Sequence, residues 1–143
     1  MIDFRPMTAA DIADALTLWN GMPGVTLRDA DAPDALARYL ARNPGFSVGA
    51  RAEGRLVGVS LAGHDGRRGY LHHVAVAADH RRRGLGRARV ERCLAALVAE
   101  GIGKCHIFVN ADNEEGKMFW RKIGWSERAG LHLMSITLGS ETA

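Results

Sequence analysis

The chain has 143 residues, 47% hydrophobic and 24% charged, an ordinary balance for one globular domain that excludes disorder, collagen-like and coiled-coil organisation. Nineteen basic residues against sixteen acidic ones leave a net charge of +3, which by itself does not imply nucleic acid. Cys93 and Cys105 fit neither a disulfide framework nor a metal-ligand spacing, no apolar run approaches the ~20 residues of a membrane span, and the start lacks the apolar stretch of a signal peptide, so a cytoplasmic soluble protein is expected.

In chain order, residues 2–7 read as a first strand. Thr8 with Asp11 has capping-box spacing, and Ile12, Ala15, Leu16 and Trp19 recur at helical spacing until Gly21, Pro23 and Gly24 stop it. A long loop, 20–31, follows. Asp31 before Ala32-Pro33 reads as the cap of a second helix with Leu36, Tyr39 and Leu40 on one face, closed by Asn43-Pro44-Gly45. Residues 46–52, 56–63 and 70–76 have strand character. The turn sequences between them, Glu53-Gly54-Arg55 and Asp65-Gly66-Arg67-Arg68-Gly69, give antiparallel hairpin spacing. Val90, Cys93, Leu94, Leu97 and Val98 then form a helical stripe, with Gly101 at its C-terminus. A strand at 105–109, a short helix around Met118, Phe119 and Ile123, and strands at 125–128 and 132–138 complete the pattern. The order predicts a single α/β (α+β) domain over residues 1–143, with one mixed sheet of about six to seven strands and about four flanking helices. Arg far outnumbers Lys, 16 to 3, as in chains from GC-rich bacterial genomes.

The basic excess is concentrated. Arg81, Arg82, Arg83, Arg87, Arg89 and Arg92 stand against only Asp79 and Glu91, so this short segment is strongly positive on a chain otherwise near neutral. The segment opens the amphipathic helix directly after the apolar strand end Val74-Ala75-Val76. A helix N-terminus offers N–H groups without intrahelical partners and a partial positive charge. Gly84 and Gly86 let a ligand approach the backbone, and the arginines add donors suited to phosphate. A diphosphate matches this set. The third glycine of a dinucleotide fingerprint is missing, Arg89 standing there instead, and no GxxxxGK[ST] loop exists. A nucleic-acid-binding face is the rival reading, although the segment holds no aromatic residue on which a base would stack.

Arg81-x-x-Gly84-x-Gly86 after Val-Ala-Val resembles the acetyl-CoA loop of the GCN5-related N-acetyltransferases, the GNAT family. The order of elements is similar to that fold over nearly the whole chain. Asn113 through Trp125 resembles the family's second motif, and Gly66 through Val76 is similar to the small bacterial YpeA-like subgroup. The resemblance implies transfer of an acetyl group from acetyl-CoA to a primary amine by direct attack. It implies that the strand of Val74, Ala75 and Val76 splays from its neighbour and pairs with the pantetheine amides. It also implies that Arg81 belongs to the cofactor-binding loop, that the backbone amides of Arg82, Arg83, Gly84, Leu85, Gly86 and Arg87 cradle the pyrophosphate, and that Asn113 and Phe119 lie near the pantetheine and thiol. Homodimers recur in the family, and neither nucleic acid nor membrane is an implied partner.

One position departs from the pattern. Where relatives often have a tyrosine as general acid, this chain has Trp120, whose indole N–H lacks useful acidity. Another group then protonates the thiolate, or the thiolate leaves unaided, or the protein binds acyl-CoA as a sensor without transferring it. Strand alternation predicts Tyr70, His72 and Val74 on one face and Leu71, His73 and Ala75 on the other. His72 is the candidate base and Tyr70 a candidate acid. His73, His106 and His132 read as structural or surface residues, and both cysteines as small buried apolar groups. The resemblance places the acceptor pocket at Trp19, Met22, residues 24–31, Trp125 and His132. Asp29 and Asp31 would attract a cationic amine there. The acceptor itself stays open among peptide N-termini, lysine, polyamines, aminoglycosides and amino acids.

Overall fold

A computed structural model describes residues 1–76 and 80–139; Asp79, the acid that opens the basic segment, lies outside the described residues. β1 (Ile2–Pro6) leads through a 3-10 turn, Ala9–Asp11, into α1 (Ile12–Asn20), and a second 3-10 turn, Asp29–Asp31, precedes α2 (Pro33–Arg42). β2 (Val48–Ala52), β3 (Arg55–His64) and β4 (Gly69–Val76) follow, then α3 (Leu85–Ala99), β5 (Cys105–Ile107) and α4 (Glu114–Lys122). The sheet order is β1-β2-β3-β4-β5, antiparallel through β4, with β4 and β5 parallel. This is the mixed α+β domain with four α-helices that the element order predicts, with five strands among the described residues rather than six to seven.

Local chemistry accounts for the element ends. The Asp11 carboxylate accepts the Thr8 N–H at 2.9 Å and also takes Arg51 of β2 at 2.8 Å, so one side chain closes the 3-10 turn that leads into α1 and ties it to the sheet. α3 ends in a Schellman arrangement: Ile102 N–H donates to the Leu97 carbonyl and Gly101 N–H to that of Val98, with Gly101 at φ +87°. β3 is the central strand. Its run from Leu56 to Gly63 is buried throughout, because α1 and α2 cover one face and α3 the other. Met7, Ile12, Trp19, Leu36, Leu40, Val59 and Leu61 form the core on the first side, and Leu71, Val90, Cys93, Leu97 and Trp120 that on the second.

Three expectations are corrected. Residues 125–128 and 132–138 join no ladder; Leu131, Leu133, Met134, Ile136 and Leu138 project outward with no facing layer among the described residues, and β5 stops at Ile107. Asp31 does not cap α2. Ala32 holds the cap position, its carbonyl accepting the Leu36 N–H, while Asp31 accepts from the Arg28 N–H at 3.0 Å. Strict alternation along β4 also fails. Val59 opposes Ala75 but Leu61 opposes His72, so Ser60 faces both His73 and Val74. This is a β-bulge, with His73 at φ +49°. It puts His72 and His73 on the same face of the sheet, against α2 and α1 respectively. Val74 joins Leu71 on the α3 side, and Ala75 packs beneath α1 and α2.

Candidate functional site

The β4–β5 ladder spans only Gly69–Leu71 against Cys105–Ile107, although β4 continues to Val76. Beyond Leu71 the two parallel strands part. β4 keeps β3 on one side, through Val59↔Ala75 and Gly58↔Val76, and turns its other edge to an opening without a strand partner. Val74, Ala75 and Val76 are anchored there by their side chains, while their backbone groups on the β5 side have no ladder.

The loop after β4 delivers the chain to the N-terminus of α3. Gly84 caps the helix at φ +72° with no side-chain cap bond, and the first intrahelical bond from this turn is Ala88 N–H to the Gly84 carbonyl. The N–H groups of Leu85, Gly86 and Arg87 therefore lack helical acceptors. Arg82 also sits at φ +64°, so two left-handed residues curve the loop into the concave form that favours anions. A Cβ at Gly84 would meet nothing within 4 Å, so its backbone is open. A Cβ at Gly86 would lie 3.3 Å from the Phe119 ring and 3.7 Å from Val76, so glycine there lets α3, α4 and β4 converge. Leu85 is a buried anchor packed with Val57 and Val76. A groove of about 700 Å³ opens between Arg82 and the Glu115, Met118, Phe119, Arg121 and Lys122 face of α4.

The arginine cluster is less uniform than its sequence suggests. Arg87 pairs with Glu91 at 3.0 Å, and Arg92 lies 4.6 Å over the Phe4 ring. Arg83 shares a groove with Ile2 and Ala52 toward β1. Arg81 donates Nε–H to the Val76 carbonyl at 3.2 Å and reaches the Met22 sulfur. Arg89 is fully buried, donating Nε–H to Ser60 Oγ at 3.0 Å and Nη2–H to the Ala75 carbonyl at 2.6 Å.

On the opposite side of the sheet, His72 lies between the rings of Tyr39 and Phe108. Burial lowers its pKa, the neighbouring His73 lowers it further, and Asp31 only partly opposes them, so its imidazole is neutral at neutral pH. Tyr70 stacks near His106 and Phe108. The α1–α2 loop closes over this region through several contacts. Asp31 Oδ1 lies 3.0 Å from His73 Nε2, and the Asn110 side chain reaches the Gly24 carbonyl at 3.5 Å. Asn113 Nδ2 would lie 2.7 Å from a Cβ at Gly24, while its Oδ1 caps α4 by accepting the Gly116 N–H at 2.9 Å. Burial pushes the Asp31 carboxyl up, but hydrogen bonds from His73 and the Arg28 N–H outweigh it and leave it below the usual range. Trp120 is 8% exposed, wedged between Phe119 and Trp125. Burial raises the thiol of Cys93 to about 12 and that of Cys105 to about 11, so both stay protonated at neutral pH.

Sequence reasoning missed two arrangements here. The His73–Asp31 pair depends on a bulge that has no sequence signal beyond adjacent histidines. The Arg89–Ser60–Ala75 link was hidden by counting Arg89 with the surface cluster; its place four residues before Cys93 on the apolar stripe was the available clue. Among the described residues no group of His, Cys, Asp or Glu could hold a metal, and no helix is long and apolar enough to cross a membrane.

The parallel strands part beside a glycine-rich helix entrance. The model of the acetyltransferase (GNAT) family matches residues 12–125. An acetyltransferase of Pectobacterium atrosepticum is 31% identical over 114 residues, 79% of each chain. Among solved structures, the PaiA N-acetyltransferase of Thermoplasma acidophilum in complex with coenzyme A superposes with a TM-score of 0.77 at 16% identity, over 99% of this chain and 95% of that one. The ribosomal-protein-alanine N-acetyltransferase of Brucella melitensis biovar Abortus 2308 gives 0.72 at 19%, over 94% and 99%. The chain belongs to the GNAT acetyltransferase family. It is an N-acetyltransferase whose acetyl donor is acetyl-CoA.

Proposed function

We propose that the open edge of β4 and the entrance of α3 hold acetyl-CoA while the α1–α2 loop presents a primary amine to it from the His72 side of the sheet. The observation that carries this reading is the early end of the β4–β5 ladder beside uncapped α3 amides. Acetyl-CoA supplies a thioester whose acyl carbon accepts an amine nitrogen, with the thiol as leaving group. The edge of β4 that lacks a strand partner from Val74 to Val76 suits pairing with amides, as an added strand would. The amides from Arg82 to Arg87, with Arg81, Arg82 and Arg83, suit a pyrophosphate. Phe119 borders that edge from α4, beside Val74 and Gly86, and Asn113 at the start of α4 faces Gly24 of the α1–α2 loop.

His72 is the proton acceptor for the attacking amine. Its neutral imidazole can take a proton that an exposed histidine would already hold at mildly acidic pH. Tyr70, two residues earlier on the strand, is the candidate donor toward the leaving sulfur, because Trp120 is buried and carries no acidic proton. Asp29 and Asp31 give the loop a negative character suited to an amine of small-molecule or peptide origin; the Brucella relative's name carries a peptide acceptor for that protein. The apolar side chains of 131–138 favour a homodimer that covers them. Sedimentation velocity at rising concentration is expected to show it, and a monomer throughout would remove it.

Calorimetry with CoA is the primary test. The wild-type chain is expected to bind, and Gly84→Glu, which puts a carboxylate and a strained φ at the helix cap, to lose binding. A wild-type chain with no affinity for CoA would overturn the assignment of the site. Thiol release across an amine panel then identifies the acceptor.

A further inference from the structure

We infer that Phe108, stacked on Tyr70 and His72 where β4 and β5 part, is a specificity-determining residue: its exposed ring selects a primary amine that carries an aromatic ring on a short chain. The inference rests on the proposed role of His72 as acceptor of the amine proton.

The position follows from the ladder. Parallel pairing ends at Leu71↔Ile107, so His72 and Phe108 stand where the next pair would form and where the strands separate instead. Side chains two residues apart on a strand share a face, which groups Tyr70 with His72 on β4 and His106 with Phe108 on the other strand. The rings meet across the two strands. Tyr70 lies 5.6 Å from His106, its partner in register, and 6.2 Å from Phe108 with 14° between the planes. His72 lies 6.4 Å from Phe108 with 24° between the planes.

The helices cover one end of this row and leave the other open. Tyr39 of α2 meets His72 edge-on at 78°, whereas Phe108 is 57% exposed. A single exposed apolar side chain is ordinary. This ring differs because it stacks on the two residues proposed to handle protons, so its uncovered surface continues the surface on which the amine sits. Charge points the same way. The carboxylate whose charge reaches His72 is Asp31, already held by His73 at 3.0 Å and by the Arg28 N–H at 3.0 Å, and Asp29 shares its 3-10 turn. The row itself, Tyr70, His72, His106 and Phe108, contains no carboxylate. A polyamine or an aminoglycoside brings several cations, each needing an anionic partner once desolvated. One ammonium on a flat apolar body needs a single acidic spot and a ring to lie against, which is what this face offers.

The test is a rate comparison in the full chain with acetyl-CoA and four amines: 2-phenylethylamine, 2-cyclohexylethylamine of matching size, hexylamine and spermidine. Wild type is expected to give 2-phenylethylamine a kcat/KM about fivefold above 2-cyclohexylethylamine and more than about tenfold above hexylamine and spermidine. Phe108→Leu should bring the ratio of 2-phenylethylamine to hexylamine below about threefold, mainly through KM, with CoA affinity unchanged in calorimetry. Phe108→Tyr, which keeps the ring, should retain the preference. Should Phe108→Leu fail to fold, the wild-type ratio of the phenyl to the cyclohexyl amine decides. A wild type that acetylates hexylamine or spermidine as well as 2-phenylethylamine overturns the inference and leaves acetyl transfer standing. A Phe108→Leu protein in which all four amines fall in parallel gives the ring a structural role and overturns it as well. So does one that loses self-association in sedimentation with its amine ratios unchanged, which assigns the ring to a contact between two copies. A wild type that binds CoA and transfers acetyl to no amine overturns the proposed function and the inference together.

Discussion

Neighbouring histidines on one strand occupy different environments because of a single bulge. His72 is buried between aromatic rings and held neutral, whereas His73 meets a carboxylate. If His72 accepts the amine proton, the acid limb of the kcat/KM profile falls below the ordinary histidine value of ~6.5. His72→Gln should abolish that limb and lower kcat by roughly a hundredfold. A pH profile indifferent to the substitution would remove His72 from the reaction. Asp31 has the opposite kind of consequence. Its folded-state pKa lies below the ordinary value, so its support for the fold is present at neutral pH and lost as pH falls through that lower value. Asp31→Asn should cost about 1 kcal/mol in urea denaturation at pH 7, with the difference shrinking in acid. The roles of these residues were only partly legible in the sequence. The left-handed turn at Gly84 and the close approach at Gly86 were legible through spacing, because a loop that presents backbone needs glycine at fixed places. Asp31 read as a helix cap, because its partner lies 42 residues away across a bulge that local pattern does not encode.

Helix and strand boundaries were read closely wherever they depend on neighbours in sequence. The ends of α1, α2 and α3 follow from Gly21, Asn43 and Gly101, residues that stop helices through their own backbone preferences. Two of the glycines separate stability from function. Gly84→Ala and Gly101→Ala each place a side chain at a left-handed φ, and each should lower stability by about 1 kcal/mol in thermal or urea melts. Only the first should also weaken CoA binding in calorimetry, because Gly101 lies at the far end of α3. Equal loss of affinity in both would show that helix integrity alone governs the site. Parallel pairing resisted sequence reading most. Nothing local says that β4 and β5 part after Leu71, since that divergence is decided by a bulge, a helix and a loop acting together.

Over the whole molecule, stability resides in the layers around β3 and not in the last stretch of chain. Leu71 is fully buried beneath α3, so Leu71→Ala should cost about 2–5 kcal/mol. Ile136 is 84% exposed, so Ile136→Ala in dilute protein should change stability by less than about 0.5 kcal/mol. Matching losses in the two melts would mean that residues 132–138 belong to the core. Their alternating apolar pattern led sequence reading to two further strands; a pattern states that a segment suits a sheet, but a sheet edge must also be within reach. The gap at Gly58, where a Cβ would lie 2.0 Å from Arg89 Nη1, has a consequence on a longer timescale. With Arg89 present, any side chain at Gly58 collides with a buried guanidinium, and with Arg89 absent the gap becomes a void. Mutation can leave this state only through an intermediate that carries a clash or a cavity. Descendants of this chain should therefore keep both residues or exchange both, and a survey of its relatives should find the two positions covarying.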